Sequence, residues 1–262
     1  MAKLEGQSLS KKEARQRAIV AELSANAAIR TTILARMFQV SAETIRRDIE
    51  ELTERHLISR TYGGATGRHV GLQPVFDERA AVAVEERRRI AMRAASLVRD
   101  NDVLMIDSGS TTTLFAQALA HSGKSLTVIT NSLGVISALG AQTGLRLVMC
   151  PGEVSPRERG VYGPETIAFL SRFYVDAAYI GASGLMRDGP SDAEPDACWV
   201  KRIMIERASK TFLLADAGKF DKRYVERVCQ WEDLSGLVVN STLPPHLANS
   251  LSKADVDVYV AE

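Results

Sequence analysis

No apolar run in this chain approaches the roughly 18 residues that a membrane-spanning helix needs. The first residues, MAKLEGQSLSKKEAR, are too polar for a secretory leader, so a cytoplasmic protein is expected. Cysteine is scarce. Cys150, Cys198 and Cys229 are odd in number and far apart, which excludes a disulfide framework or a zinc knuckle and leaves reduced packing residues. His56, His69, His121 and His246 show no metal-ligand spacing. Aromatic residues make up only 6%, which disfavours a sheet that stacks bases. A net charge of +1 is almost no charge, so the whole chain carries no electrostatic signature of nucleic acid.

What is present is uneven. Residues 1–60 hold eleven Lys and Arg against eight Asp and Glu, a surplus of three, and the remainder is close to neutral. A length of 262 residues suits two domains. The expected division is 1–64, a linker at 65–80 rich in glycine and polar residues, and 81–262.

The first sixty residues read as three short helices and a hairpin. Ser10 and Glu13 have capping-box spacing, and Ile19, Val20 and Leu23 mark the buried stripe of the helix that follows. A second helix runs to Phe38, with Ile33, Leu34 and Met37 expected to face inward. Gln39 and Val40 make a tight turn, and Ser41 caps a third helix in which Ile45, Ile49 and Leu52 share one face. Two helices joined by so short a turn form a helix-turn-helix. Its second helix leaves Glu43, Thr44, Arg46 and Arg47 to face outward near its start, the part that meets base edges in a major groove. Arginine can pair with guanine through two hydrogen bonds, and threonine can contact a thymine methyl. Residues Leu57 to Tyr62 read as a strand ended by Gly63 and Gly64, the start of a wing whose Arg60 and Tyr62 suit backbone or minor-groove contact. The competing reading makes Arg46 and Arg47 a solvated face, paired with Asp48, Glu50 and Glu51.

From residue 85 the pattern changes. A helix at Glu85–Val98 leads to apolar runs at Val103–Ile106, Leu126–Ile129, Leu145–Met149, Ala177–Ile180, Thr211–Ala215, Leu237–Val239 and Val256–Val260, with helical stretches between several of them. Such alternation predicts an α/β domain with a mostly parallel sheet covered on both faces. The segment Asp107-Ser108-Gly109-Ser110-Thr111-Thr112 follows the first strand and opens a helix, so backbone N–H groups and hydroxyls are presented to an anion. It lacks the lysine of a P-loop. An ordinary strand-to-helix turn is the plainer alternative. Asn131, Gly181, Gly184, Asp216 and Lys219 fall at other strand ends, where open α/β sheets bind ligands.

These motifs together resemble the DeoR family of bacterial regulators. The match covers Val40-Ser41, Glu43 to Asp48, Leu52 and Arg60 to Ala65 in the first domain. In the second it covers residues 107–112, 130–131, 181–184 and 216–220. The resemblance implies a winged helix-turn-helix joined to a sensor domain of the ribose-phosphate isomerase fold. It implies double-stranded operator DNA and a small phosphorylated, sugar-like effector as partners, and no cofactor or metal is expected; because helix-turn-helix proteins bind paired half-sites, a homo-oligomer, dimer or tetramer, is expected. It places Ser41, Thr44, Arg46 and Arg47 on DNA, and adds Gly152, Asp196 and Lys201 to the effector set. The chain departs from the family pattern at Gly152-Glu153, at Asp196 and at Val239-Asn240. It also carries an insert, Ser155–Arg159, with two arginines near the expected pocket. The rival class is an isomerase fused to a DNA-binding module. Isomerases of that fold resemble Asp-Gly-Ala-Asp-Glu where this chain has Ile180-Gly-Ala-Ser-Gly184, so the acids are missing. A regulator without catalysis, and a repressor rather than an activator or an architectural protein, is the expectation.

Overall fold

The structure is a computed structural model, and it describes residues 11–25, 29–54, 58–61, 64–67, 73 and 75–261. The chain divides into two compact units, Met1–Leu72 and Gln73–Glu262.

The first unit contains α1 (Lys11–Ala25), β1 (Ile29–Arg30), α2 (Thr31–Met37), α3 (Ala42–Glu54), β2 (Ile58–Thr61) and β3 (Gly64–Gly67). Its core is small and aliphatic: Ile19, Leu23, Ile29, Leu34, Ile45, Ile49, Leu52 and Ile58. The stripe expected on α3 is buried in full. On α2 the expected phase is wrong. Thr31, Leu34, Ala35 and Phe38 turn toward the core, whereas Ile33 and Met37 are 48% and 47% exposed. Seven residues make two turns, and only the stripe at i, i+3, i+4 and i+7 can meet α1 and α3. Ser10, one half of the expected capping box, lies outside the described residues. So does Tyr62.

The strands β1, β3 and β2 form an antiparallel sheet in that order, with Arg60 opposite Ala65 and Thr61 opposite Gly64. The wing is therefore a hairpin whose return strand falls inside the segment expected to be linker. A second part of that segment is also structured, as the helix α4 (Phe76–Ala80) with Phe76 buried. Glycine-rich β3 and a five-residue helix are too short to show a sustained period, which is why 65–80 reads as featureless.

The second unit is built on seven parallel strands: β4 (Val103–Ile106), β5 (Leu126–Thr130), β6 (Leu145–Met149), β9 (Val175–Gly181), β12 (Ala208–Leu214), β14 (Gly236–Val239) and β15 (Asp257–Val260). Between them lie β7 (Glu153–Ser155), β8 (Gly160–Tyr162), β10 (Gly184–Met186), β11 (Gly189–Asp192) and β13 (Glu226–Arg227). The order across the main sheet is β15-β14-β12-β9-β4-β5-β6. One face is covered by α5 (Val84–Leu97), α6 (Ser110–Ala120) and α7 (Leu133–Leu139), through Ile90, Ala94, Phe115, Leu119 and Val135. The other is covered by α8 (Pro164–Leu170), α9 (Pro195–Arg207) and α10 (Pro245–Lys253), through Leu170, Val200, Met204, Leu247 and Leu251. All seven expected strands are present, within a few residues of their expected ends. The order reverses at β4, whose neighbours are β5 on one side and β9 on the other. That is where a doubly wound sheet opens a crevice at its carboxyl edge. Among the described residues no helix is long and apolar enough to cross a membrane. Burial pushes the thiols of Cys150, Cys198 and Cys229 up to about 12, in keeping with packing roles.

One polar contact fixes α3 against α1. Asp48 is 1% exposed and accepts hydrogen bonds from Arg15 Nε (2.6 Å), Arg15 Nη2 (3.2 Å) and Gln16 Nε2 (3.2 Å). Gln16 also reaches Glu51 (2.9 Å), which pairs with Lys12 (2.6 Å). Asp48 and Glu51 thus belong to the helix-helix seam and do not neutralise Arg46 and Arg47. Asp48→Ala is expected to destabilise the first unit by about 1–3 kcal/mol, since Arg15 and Gln16 lose a buried acceptor. Amide exchange in α1 and α3 of the full chain measures this, and protection equal to that of the parent would refute the seam.

Candidate functional site

In the first unit the start of α3 is built as the capping pattern requires. Thr44 N donates to Ser41 Oγ (3.1 Å), and the two hydroxyls share a hydrogen bond of 2.9 Å. The Ser41 carbonyl takes the first intrahelical bond, from Ile45 N (3.2 Å). Turning at Gln39, with φ at 52°, brings this cap directly after α2. With Ile45 and Ile49 locked in the core, Glu43, Arg46 and Arg47 project outward, their side chains 61%, 60% and 75% exposed. Glu43 lies 3.3 Å from Arg46 and 3.8 Å from Arg47. Pairs this exposed are worth about 0–1 kcal/mol, so a phosphate or a base edge can displace the carboxylate. Arg60 is placed on β2 by its backbone. Its side chain lies outside what the structure describes.

In the second unit a cleft opens over the carboxyl edge of β4 and β9. Its floor is Lys201 and Asp192, held in an ion triad with Asp107 beneath them. Lys201, 2% exposed on α9, lies 3.0 Å from Asp107 Oδ2 at the end of β4 and 3.0 Å from Asp192 Oδ2 at the end of β11. Asp192 Oδ1 also accepts from Ala193 N (2.7 Å) and lies 2.8 Å from Ser183 Oγ. Burial drives Lys201 down, but the two carboxylates outweigh it and hold the ammonium well above its usual range. Burial raises Asp107, whose Oδ1 has no hydrogen-bond partner among the described residues. Burial pushes Asp192 the same way, yet Lys201, Ser183 and a backbone N–H together bring it below its ordinary value.

Above the floor, residues Ser108 to Thr112 bend into α6. Ser108 N donates to Asn131 Oδ1 (3.1 Å), and Asn131 Nδ2 donates to Val161 O (3.1 Å), so Asn131 braces the loop from below. Ser108 Oγ and Tyr162 OH share a hydrogen bond. Thr113 N reaches back to Gly109 O (3.0 Å), which leaves the N–H groups ahead of it unmatched within the helix. Arg87, only 4% exposed on α5, donates from Nη1 to Ser110 Oγ (2.7 Å) and from Nη2 to the Arg79 carbonyl. Its Nε lies 3.7 Å from Asp216 Oδ2. Asp216 Oδ1 caps the turn that carries Lys219 into the cleft, accepting from Gly218 N (3.0 Å). Asn240 Oδ1 accepts from Ala217 N (2.8 Å) and braces the same turn. Among the described residues no carboxylate comes within ion-pair distance of Lys219. Burial pushes its ammonium down to about 8; Asp216 opposes this, while Arg79, Lys222 and Arg87 add to it. The first turn of a helix beside a cation can receive an anion.

Of the expected effector residues, Ser108, Gly109, Ser110, Thr111, Thr112, Gly181, Lys201 and Lys219 line the cleft. Asp107, Asn131 and Asp216 support those residues without lining it. Gly152, Gly184 and Asp196 do not join the cleft. Gly152 has φ 139°, and an added Cβ would meet Thr166 Oγ1 at 2.3 Å. At Gly184 it would meet the Lys222 carbonyl at 2.0 Å. Both positions are glycine for steric reasons. Asp196 is exposed at the first turn of α9, and Lys201 pairs with Asp107 and Asp192. Residues i and i+5 on a helix point about 140° apart, so Asp196 faces away from the cleft that Lys201 lines.

The polar lining residues missed from sequence are Gln73, Arg79, Glu158, Tyr162, Ser183 and Asp192, together with Arg87 behind the loop. Only Arg87 had a visible signal: it falls in phase with Ala91 and Ala94, a charge within an apolar stripe. The insert arginines line nothing in the cleft. Arg157 and Arg159 bind the segment around α4. Among the described residues no group of three or more His, Cys, Asp or Glu could hold a metal ion.

Comparison with known proteins agrees with both units. The family described as DeoR-like helix-turn-helix domain matches residues 15–69, and the DeoR C terminal sensor domain matches residues 82–241. An uncharacterized HTH-type transcriptional regulator, YulB of Bacillus subtilis, is 30% identical over 93% of this chain and 95% of its own length. The glycerol-3-phosphate regulon repressor of Escherichia coli is 33% identical over 74% of this chain and 77% of its own. A ribose 5-phosphate isomerase A from Methanocaldococcus jannaschii superposes with a TM-score of 0.39 at 20% identity, over 53% of this chain and 55% of the isomerase.

Lys219 makes the cleft testable by pH. An anion beside it raises its pKa, so binding favours the charged amine. If the cleft takes a phosphate monoester, a dianion above about pH 7, its affinity is then greatest below about pH 8. Above that value it should fall by up to about tenfold per pH unit. Titration calorimetry between pH 7 and 9.5 should show this decline in the parent and a weaker, flatter profile in Lys219→Met. A flat profile in the parent would remove Lys219 from the anion site.

Proposed function

The chain belongs to the DeoR family of transcriptional regulators, and on that footing we propose that it represses genes of carbohydrate or related catabolism until a phosphorylated, sugar-like effector releases it from operator DNA. The observation that carries the DNA half is the rigid start of α3. Its apolar side is locked by Ile45, Ile49 and Leu52, while Glu43, Arg46 and Arg47 stand free of the core. That shape suits insertion into a major groove, where arginine reads guanine. Arg60, on β2, and Tyr62, two residues on in sequence, would add contacts to the duplex backbone. The effector half rests on the cleft, which joins an anion receptor at α6 and Lys219 to a polyol-binding floor of Lys201, Ser183 and Asp192. The E. coli relative named for the glycerol-3-phosphate regulon supports this ligand class. Operators read by helix-turn-helix units are paired half-sites, so the working form is a symmetric homo-oligomer acting on cytoplasmic DNA.

The same cleft on an isomerase would need a carboxylate free to take a proton from substrate. Here Asp107 and Asp192 are both tied to Lys201, and Glu158 is tied to Arg79 at 2.6 Å. A sensor without turnover follows.

The test is operator binding by a promoter fragment from beside the chain's own gene. Arg46→Ala or Arg47→Ala should cost about 1–3 kcal/mol of affinity if either reads a base. A phosphorylated polyol that raises the melting temperature should weaken parent binding and be recovered chemically unchanged. Parent-like affinity in both variants, or steady isomerisation of the ligand, would overturn the proposal.

A further inference from the structure

We infer that Gln73 and α4 are the element through which occupancy of the cleft is passed to the DNA-binding unit. The inference rests on the reading of the cleft as the effector site. Gln73 is the first residue of the second unit, so any signal carried along the chain to the first unit leaves by this segment. The same segment is a wall of the cleft, lined by both Gln73 and Arg79.

The wall is bonded to both ends of the site. At the floor, Ser183 Oγ lies 2.6 Å from Gln73 Oε1 and 2.8 Å from Asp192 Oδ1. One hydroxyl proton serves one of these acceptors at a time, so a ligand hydroxyl that donates to Asp192 shifts Ser183 toward Gln73. At the anion loop, Arg87 bridges the Arg79 carbonyl to Ser110 Oγ. The Arg79 side chain holds Glu158 by two hydrogen bonds, of 2.6 and 3.2 Å, with both side chains at most 10% exposed. An incoming anion competes with Glu158 for Arg79.

From outside, the turn between β7 and β8 clamps the segment. Arg157 Nη2 donates to Gln73 O (2.7 Å), and Phe76 N donates to Arg157 O (3.1 Å). Arg159 pairs with Asp77 (2.7 Å) and lies over the Phe76 ring at 5.1 Å. The insert that departs from the family pattern therefore holds the exit segment against the cleft. Ligand affinity and segment position become one equilibrium, as coupling between sites requires.

Amide exchange on the full chain, with and without glycerol 3-phosphate or inorganic phosphate, tests this directly. Slower exchange in Phe76–Ala80 as well as in residues 108–112 supports the inference. Slower exchange in 108–112 alone overturns it and leaves the effector reading intact. No change in either segment with either anion removes the effector reading, and this inference falls with it. Arg157→Ala, and Arg159→Ala in case the first variant folds poorly, separate binding from signalling. The effector that releases the parent from its operator should bind either variant within about threefold of parent affinity, while its effect on operator binding falls by about tenfold. Parent-like release in both variants would refute the clamp.

Discussion

The sensor unit depends on one buried ammonium. Lys201 holds two carboxylates that come from different strands, Asp107 from the end of β4 and Asp192 from the end of β11, and its own helix packs across the sheet beneath them. Three charges out of water are costly, and only their mutual contacts and the surrounding donors make them tolerable. Two acids share one base, so the cluster is one positive charge short. The unmatched Asp107 Oδ1 and the opposed shifts of the two carboxylates express that shortage. The triad is thus a weak source of stability and a strong constraint on position. It fixes where the loop after β4 begins, and hence where the first turn of α6 points.

Charge is distributed unevenly above that floor. The Asp107 side is short of cations, while the far side sets Arg79, Arg87 and Lys219 near a helix start, and burial, with those neighbouring cations adding to it, pushes Lys219 down to about 8. A molecule with hydroxyls at one end and a phosphate at the other answers both imbalances. Neutral sugars would meet only the first, and free phosphate only the second. Binding such a molecule draws on Gln73 and Arg79, which are also the first turns of chain beyond the DNA-binding unit. Sensing and signalling then use the same few side chains, and no long path through the core is needed.

Much of this was readable from sequence, and the exceptions have local causes. Each parallel strand, buried or at the sheet edge, holds a short apolar run, so all seven were visible. The cap at Ser41 and the stripe of Ile45, Ile49 and Leu52 were equally plain, because capping and helical period act over a few residues. The phase of α2 was lost because Ile33 and Met37 are more apolar than Ala35, yet Ala35 is the one that faces the core. The strand β3 hid in Gly64-Ala65-Thr66-Gly67, which has no side chain large enough to show alternation. At the cleft, the loop and both lysines were legible as motifs. Asp192 was not, since its pairing with Lys201 is made by the packing of β11 on α9, and Asp196 stood nearer in sequence. Arg157 and Arg159 were noticed as charges, but which way they faced depends on a hairpin and a helix that only tertiary structure brings together.

The thermal stability of Lys201→Met as a function of pH tests the central role of the triad. At neutral pH the variant leaves two buried carboxylates without a counter-ion, and a loss of about 3–5 kcal/mol in the second unit is expected. As pH falls through the carboxylate range both acids can take protons and become neutral, so the gap to the parent should narrow. A variant as stable as the parent at pH 7, or a deficit that stays constant down to pH 4, would contradict the account.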